Sequence, residues 1–117
     1  MAKPRVDPEA FLPLTNLSFH VLLALGDGPA HGYAIGKSVE ERSRGRLNPA
    51  TGSLYQALRR LVEDGLLEET RPTERGDARR QYLRLTRLGR RVLALEAGRL
   101  DELVSAVRSK RLMGEQS

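Results

Sequence analysis

Thr51-Gly52-Ser53-Leu54-Tyr55-Gln56-Ala57-Leu58-Arg59-Arg60-Leu61-Val62-Glu63-Asp64-Gly65 reads as one amphipathic helix with its stop signal attached. Leu54, Ala57, Leu58, Leu61 and Val62 recur at i, i+3, i+4, i+7 and i+8, which gathers them on one face. Thr51, Ser53, Tyr55, Gln56, Arg59 and Arg60 supply the other side. Gly65 suits the left-handed position that closes a helix. The spacing predicts a helix from about Ala50 to Asp64 with one apolar and one hydrogen-bonding face.

Upstream, Leu14, Leu17, Val21, Leu22 and Leu25 predict a helix over 16–25, capped by Thr15 or Asn16. Gly26-Asp27-Gly28-Pro29 ends it. A second helix is expected from His31 or Gly32 to Ser43, with Tyr33, Ala34, Ile35 and Val39 inward. Residues 1–13 carry three prolines and read as an arm, with room for a helical turn at Pro8–Leu12. Downstream the period changes. Residues 66–71 and 80–85 read as two short strands around a polar turn, Pro72 to Arg79, with Gly76-Asp77 at its centre. Thr86 caps a last helix over 87–112, with a phase shift in its stripe near Gly98, and 113–117 reads as a frayed, disordered tail.

Three short helices, a hairpin and a long helix spell a mainly α fold with a small β-hairpin wing, a winged helix-turn-helix over 14–86. The long helix, 87–112, has a stripe of Leu88, Val92, Leu95, Leu100, Leu103, Val104 and Val107. A single small domain offers that stripe little to pack against. A two-fold dimer through it avoids an exposed apolar patch. The dimer in turn predicts a pseudo-palindromic target with half-sites about 34 Å apart. Folding of the helix back over its own domain is the alternative.

Charge supports a polyanionic partner. The 117 residues carry 20 Lys and Arg against 15 Asp and Glu, net +5. Residues 61–70 hold four acids and no base, while 71–91 hold eight arginines against two acids, net +6. Such an island is the footprint of phosphate contact. An arginine-rich genome with a solvated charged face is the plainer explanation. The order of elements favours the first, because it places the island on the wing.

The composition also excludes. There is no cysteine, so no disulfide scaffold, Cys-held metal or thiol nucleophile exists. His20 and His31 alone cannot complete a metal site, and no Ser-His-Asp arrangement or phosphate loop is present, so no enzyme and no cofactor is expected. No apolar run approaches membrane-span length and no apolar signal core follows Met1, so a cytoplasmic protein is expected.

The expected DNA contacts are His31, Thr51, Gly52, Ser53, Tyr55, Gln56, Arg59, Arg60, Arg75, Arg79 and Arg80. Thr51 and Ser53 stand at a helix start, where hydroxyls and N–H groups suit phosphate oxygens or cap the helix. Gly52 permits close approach to the groove. Tyr55 reaches a phosphate or packs half-buried. Gln56 matches adenine and Arg59 guanine, although Arg59 can also pair with Glu63 one turn on, and Arg60 is similar. Arg75, Arg79 and Arg80 suit the backbone or minor groove. His31 caps the second helix or meets phosphate, Tyr33 is expected in the core with phosphate contact as the alternative, and His20 packs or lies at the surface.

Taken together, three stretches resemble the PadR family of bacterial transcriptional regulators. They are His31-Gly32-Tyr33-Ala34-Ile35, the 51–67 segment quoted above with Leu66-Leu67, and Arg79-Arg80-Gln81-Tyr82-Leu83-Arg84-Leu85-Thr86 with Gly89. The ending on a single long helix resembles the short subfamily. The resemblance implies a homodimer on promoter DNA, usually a repressor, released by a small-molecule inducer bound at the dimer interface. Short members often bind flat ligands there, and some stack them on an aromatic of the last helix, whereas residues 87–117 here contain no Trp, Tyr or Phe. A winged-helix protein–protein module without specific DNA binding is the competing expectation. It predicts an apolar patch where this chain places its polar helix face and basic wing.

Overall fold

Among the described residues, local chemistry starts three of the four α-helices. Thr15 Oγ1 accepts the Ser18 N–H at 3.0 Å and opens α1, Asn16–Ala24. His31 Nδ1 accepts the Ala34 N–H at 3.2 Å and opens α2, Gly32–Arg42. Thr86 Oγ1 accepts the Gly89 N–H at 2.9 Å and opens α4, Arg87–Ser109. The exception is α3, Thr51–Glu63, whose capping residue is Ala50 and has no side-chain acceptor to offer. The computed structural model describes residues 6–71 and 80–112, apart from the side chain of Thr51. The predicted turn 72–79 and the tail 113–117 lie outside the described residues.

The described sheet has three antiparallel strands in the order β1-β3-β2: β1 is Ala30–His31, β2 is Leu67–Thr70 and β3 is Tyr82–Leu85. Leu67 faces Leu85 and Thr70 faces Tyr82, so the expected hairpin pairs in register. β1 is an addition to the sequence reading. Two residues carry no periodicity, and only the tertiary pairing of His31 with Tyr82 makes them a strand. It ties the start of α2 to the second wing strand.

The core gathers Val21 and Leu22 of α1 with Leu25 at its C-cap, Ile35 and Val39 of α2, and Leu54, Leu58 and Leu61 of α3. Leu66, Leu67, Leu83, Leu85 and Val92 complete it. Gly65, at φ +80°, turns the chain from α3 into β2. Thr86 Oγ1 also donates to the Gly65 carbonyl at 2.6 Å, joining the α3 end to the α4 start. Gly89 lets α4 lie on the Leu66 backbone: a Cβ there would stand 2.1 Å from the Leu66 carbonyl oxygen.

Two expectations need correction. The described part of the arm does not hang free. Pro8–Phe11 forms a 3-10 turn against α4, and Phe11, Leu12 and Leu14 pack on the core. The first half of α4 likewise belongs to its own domain. Val92 is fully buried, and Leu88 packs against the core, so neither heads a dimer stripe that begins at residue 87. Leu95 is half-buried. The physical reason is that β3 leads through Thr86 straight into α4, which lays the helix start over the sheet and α1.

Inside that contact sits a charge. Glu96 is only 2% exposed. Its Oε2 accepts the Leu14 N–H at 2.7 Å, and Arg99 Nε donates to its Oε1 at 2.5 Å. The Arg99 hydrogen bond, joined by the Leu14 N–H, outweighs burial and holds the carboxyl below the usual glutamate range.

Beyond Arg99 the helix leaves the body: every residue from 100 to 112 is exposed. The Cα radius of gyration is 16.3 Å, where a compact chain of this size has about 13 Å. Leu100, Leu103, Val104 and Val107 stand on one face of that projection, Leu103 being 52% exposed.

Candidate nucleic-acid interface

The side of α3 turned away from the core is polar and open. Gly52, Ser53, Tyr55, Gln56, Arg59 and Arg60 are all exposed, while Leu54, Leu58 and Leu61 between them are buried. This is the division that the helical period of residues 51–65 demands. The start of α3 is open as well, because Ala50 cannot accept its first N–H groups. Uncapped N–H groups at an exposed helix start attract phosphate oxygens. Thr51 opens the helix, but its side chain, like those of Arg75 and Arg79, lies outside the described residues.

Beside α3 stands a cluster that joins α2 to the wing. Arg80 Nη1 lies 3.2 Å from His31 Nδ1, the atom that also takes the Ala34 N–H. Nδ1 can serve both donors only as an acceptor. The Arg80 guanidinium lies over the Tyr33 ring, 5.7 Å from its centroid, and His31 stacks on Tyr33 at 6.4 Å. Tyr82 meets His31 edge-on at 5.4 Å from behind. Arg80 is thereby held by two rings, His31 at the end of β1 and Tyr33 in the first turn of α2. Holding a long side chain ahead of contact lowers the entropy cost of binding.

Tyr33 is not a core residue. It is 65% exposed, because Gly32 and Ile35 take the inward positions of α2. Tyr55, 48% exposed, lies across the start of α2, its ring and hydroxyl against Gly32. The core expectation for Tyr33 fails because it rests on the general habit of aromatic residues in a helix to pack. The signal that finds it is its place two residues after a helix cap. His20 is half-buried on α1, and its Nδ1 has no hydrogen-bond partner among the described residues.

The charge map is also redistributed. Arg84 pairs across the strands with Glu68 at 2.7 Å, and Arg87, Arg90 and Arg91 belong to α4. The island is therefore shared between wing and α4, and part of it is neutralised in place. The acidic segment also reaches this face: Glu69 accepts from Gln81 Nε2 and lines the same cleft as Arg59 and Arg80.

Among the described residues, no group of three His, Asp or Glu side chains could hold a metal. No described helix is long and apolar enough to cross a membrane.

The family model described as the transcriptional regulator PadR-like family matches residues 21–95. That span runs from α1 through the wing to the buried half of α4. A transcriptional regulator of Mycobacterium tuberculosis is 36% identical over 88 residues, 75% of this chain and 78% of its own. An uncharacterized transposon protein of Streptomyces fradiae is 45% identical over 87 residues, 74% of this chain. The match covers 24% of that protein, so this chain spans about a quarter of its length. Among solved structures, a PadR family transcription regulator from Clostridium difficile superposes with a TM-score of 0.68 at 22% identity. That match covers 81% of this chain and 97% of the other, and it shows a shared fold.

Proposed function

The chain belongs to the PadR-like family of transcriptional regulators, and from that premise we propose that it acts as a ligand-responsive repressor, a homodimer on a pseudo-palindromic operator. The family consists of transcriptional regulators, not enzymes. The observation that carries the DNA-binding geometry is the exposed polar face of α3 standing beside Arg80. α3 enters the major groove with its open N-terminal end. Gln56 and Arg59 meet base edges, while Ser53, Tyr55 and the α3 backbone meet phosphates. Gly52, with nothing within 4 Å of the place a Cβ would take, keeps that end slim. Arg60, at the flank of the face, and Arg80, at the wing, grip the backbone. Thr51, Arg75 and Arg79 join them in this reading.

Dimerisation runs through the projecting end of α4. Leu100, Leu103, Val104 and Val107 supply the stripe that a second copy covers, with Leu95 at its inner border. In domain terms, the winged helix-turn-helix includes the first half of α4, and the second half is the dimerisation arm.

A salt titration tests the reading. The operator is first selected from random DNA with the purified protein. Changing Arg75, Arg79 and Arg80 together to Ala should then weaken binding to all duplexes alike. It should also flatten the plot of log K against log salt by up to about 0.9 per lost phosphate contact. An unchanged slope removes the wing from the interface, and a non-palindromic selected site removes the dimer.

A further inference from the structure

Tyr33 and Tyr55 stand between two clefts. The wing borders one of them, beside Leu58, Arg59 and Val62 of α3. The other is bordered by Lys37 of α2, Leu54 of α3, and Asn48 and Pro49 of the loop that enters α3. The wing therefore flanks the middle and last turns of α3, and the loop flanks its first turn. Just ahead of Asn48 the loop carries two arginines, Arg44 and Arg46. Both are exposed, and neither side chain has an ion-pair or hydrogen-bond partner among the described residues.

The turn that displays them is tied down. The Arg44 N–H donates to the Glu41 carbonyl at 3.1 Å, the Gly45 N–H to that of Glu40 at 2.8 Å and the Arg46 N–H to that of Ser43 at 3.1 Å. Ser43 Oγ accepts the Leu47 N–H at 2.9 Å, and Leu47 packs against the core. This frame fixes where the two side chains begin, which lowers the entropy cost of a contact. The fold would be better served by glycine at position 44: Arg44 has φ +57°, in the left-handed region that follows a helix end. Arg42 has a separate explanation, because a cation in the last turn of α2 suits the negative end of the helix dipole. Over residues 37–46, four cations stand against Glu40 and Glu41.

A major groove about 12 Å wide is bordered by a phosphate strand on each side. A helix seated in it has one strand within reach on either flank. We propose that the turn Ser43–Leu47 is a second backbone clamp, in which Arg44 and Arg46 hold phosphates on the strand across the groove from the wing. Gripped at both flanks, α3 is kept from sliding along the groove or tilting out of it. These contacts are to phosphate alone, so they add affinity and salt dependence on every sequence and carry no base preference. The inference rests on the proposed DNA-binding reading and adds to it a contact surface outside both α3 and the wing.

The test uses the full chain and the operator selected from random DNA. Arg44→Gly combined with Arg46→Ala should weaken binding at least about tenfold near physiological salt, on operator and random duplex alike. The plot of log K against log salt should flatten by up to about 0.9 for each lost contact. Ethylation interference should show the lost phosphates on the strand opposite those lost when Arg75, Arg79 and Arg80 are changed to Ala. Arg44→Gly alone separates contact from folding. Its thermal midpoint should rise by about 2–4 °C as the left-handed strain is relieved, while its operator affinity falls. A merely structural Arg44 would move stability and affinity in the same direction. Arg90→Ala with Arg91→Ala, two exposed positions on α4, removes the same charge elsewhere and should leave the slope unchanged. Equal flattening by that control overturns the inference, as does an unchanged slope in the loop variant or loss of the same phosphates as the wing variant. In each of these cases the wild type still binds its operator and the repressor reading stands. A wild type that binds no duplex overturns both.

Discussion

The carboxylate of Glu96 takes the backbone N–H of Leu14 at 2.7 Å, closing a loop of 82 residues between the N-terminal segment and α4. Arg99, on the same helix, grips the same carboxylate where α4 emerges from the body. This one buried charge marks the border between the half of α4 that belongs to the core and the half that projects.

Removing it should be costly. Glu96→Ala leaves the Leu14 N–H without its acceptor and Arg99 without its anion. An expected loss of about 2–3 kcal/mol follows from an orphaned buried donor, readable as a lower urea midpoint with an unchanged m-value. Because the folded carboxyl titrates below its ordinary value of 4.5, its contribution is fully present above that pH. It is lost as the pH falls through the lowered folded value. Urea midpoints measured from pH 7 to pH 3 should therefore drop below pH 4.5 in the wild type, and less so in Glu96→Gln.

Two glycines of α4 should respond in opposite directions to the same change. Gly89→Ala places a methyl group against the Leu66 carbonyl, which is backbone and cannot step aside. A loss on the order of 3 kcal/mol, at the upper end of overpacking costs, is expected. Gly98 has open space around it and lies inside a helix. Gly98→Ala should stabilise by about 0.5–1 kcal/mol through helix propensity. Thermal unfolding of the pair distinguishes them, and a stable Gly89→Ala would mean that α4 does not lie on Leu66.

On the dimer reading, Leu103→Glu should convert the protein to single chains in sedimentation equilibrium. The circular dichroism of the winged domain should survive, because Leu103 touches none of the core. Operator affinity should fall by at least about tenfold as the second half-site contact is lost. A dimer that persists with glutamate at this position places the interface elsewhere.

Gly32→Ala probes the DNA face without altering a DNA-contacting side chain. The added Cβ would meet the Tyr55 hydroxyl at 2.7 Å and its ring at 2.9 Å, so the ring must swing away. Since an exposed side chain can move cheaply, stability should change by less than about 1 kcal/mol. Operator affinity should fall roughly five- to tenfold if Tyr55 meets phosphate where it stands. Unaltered affinity assigns Tyr55 a packing role only.

The helices and the hairpin could be read directly from periodicity, caps and glycines. Residues 51–65 announce their buried and exposed faces because the helical repeat alone sorts them. Thr15, Thr86 and Gly65 act over three or four residues, within reach of local sequence. What the sequence could not decide depends on contacts between distant segments. Whether Ala30–His31 is a strand and how far α4 stays in the core are set by partners 51 (31 to 82) to 82 residues away. Local pattern carries no record of such partners. An apolar stripe states that it wants cover, and only packing states whether its own chain supplies that cover, as for Val92, or leaves it bare, as for Leu103.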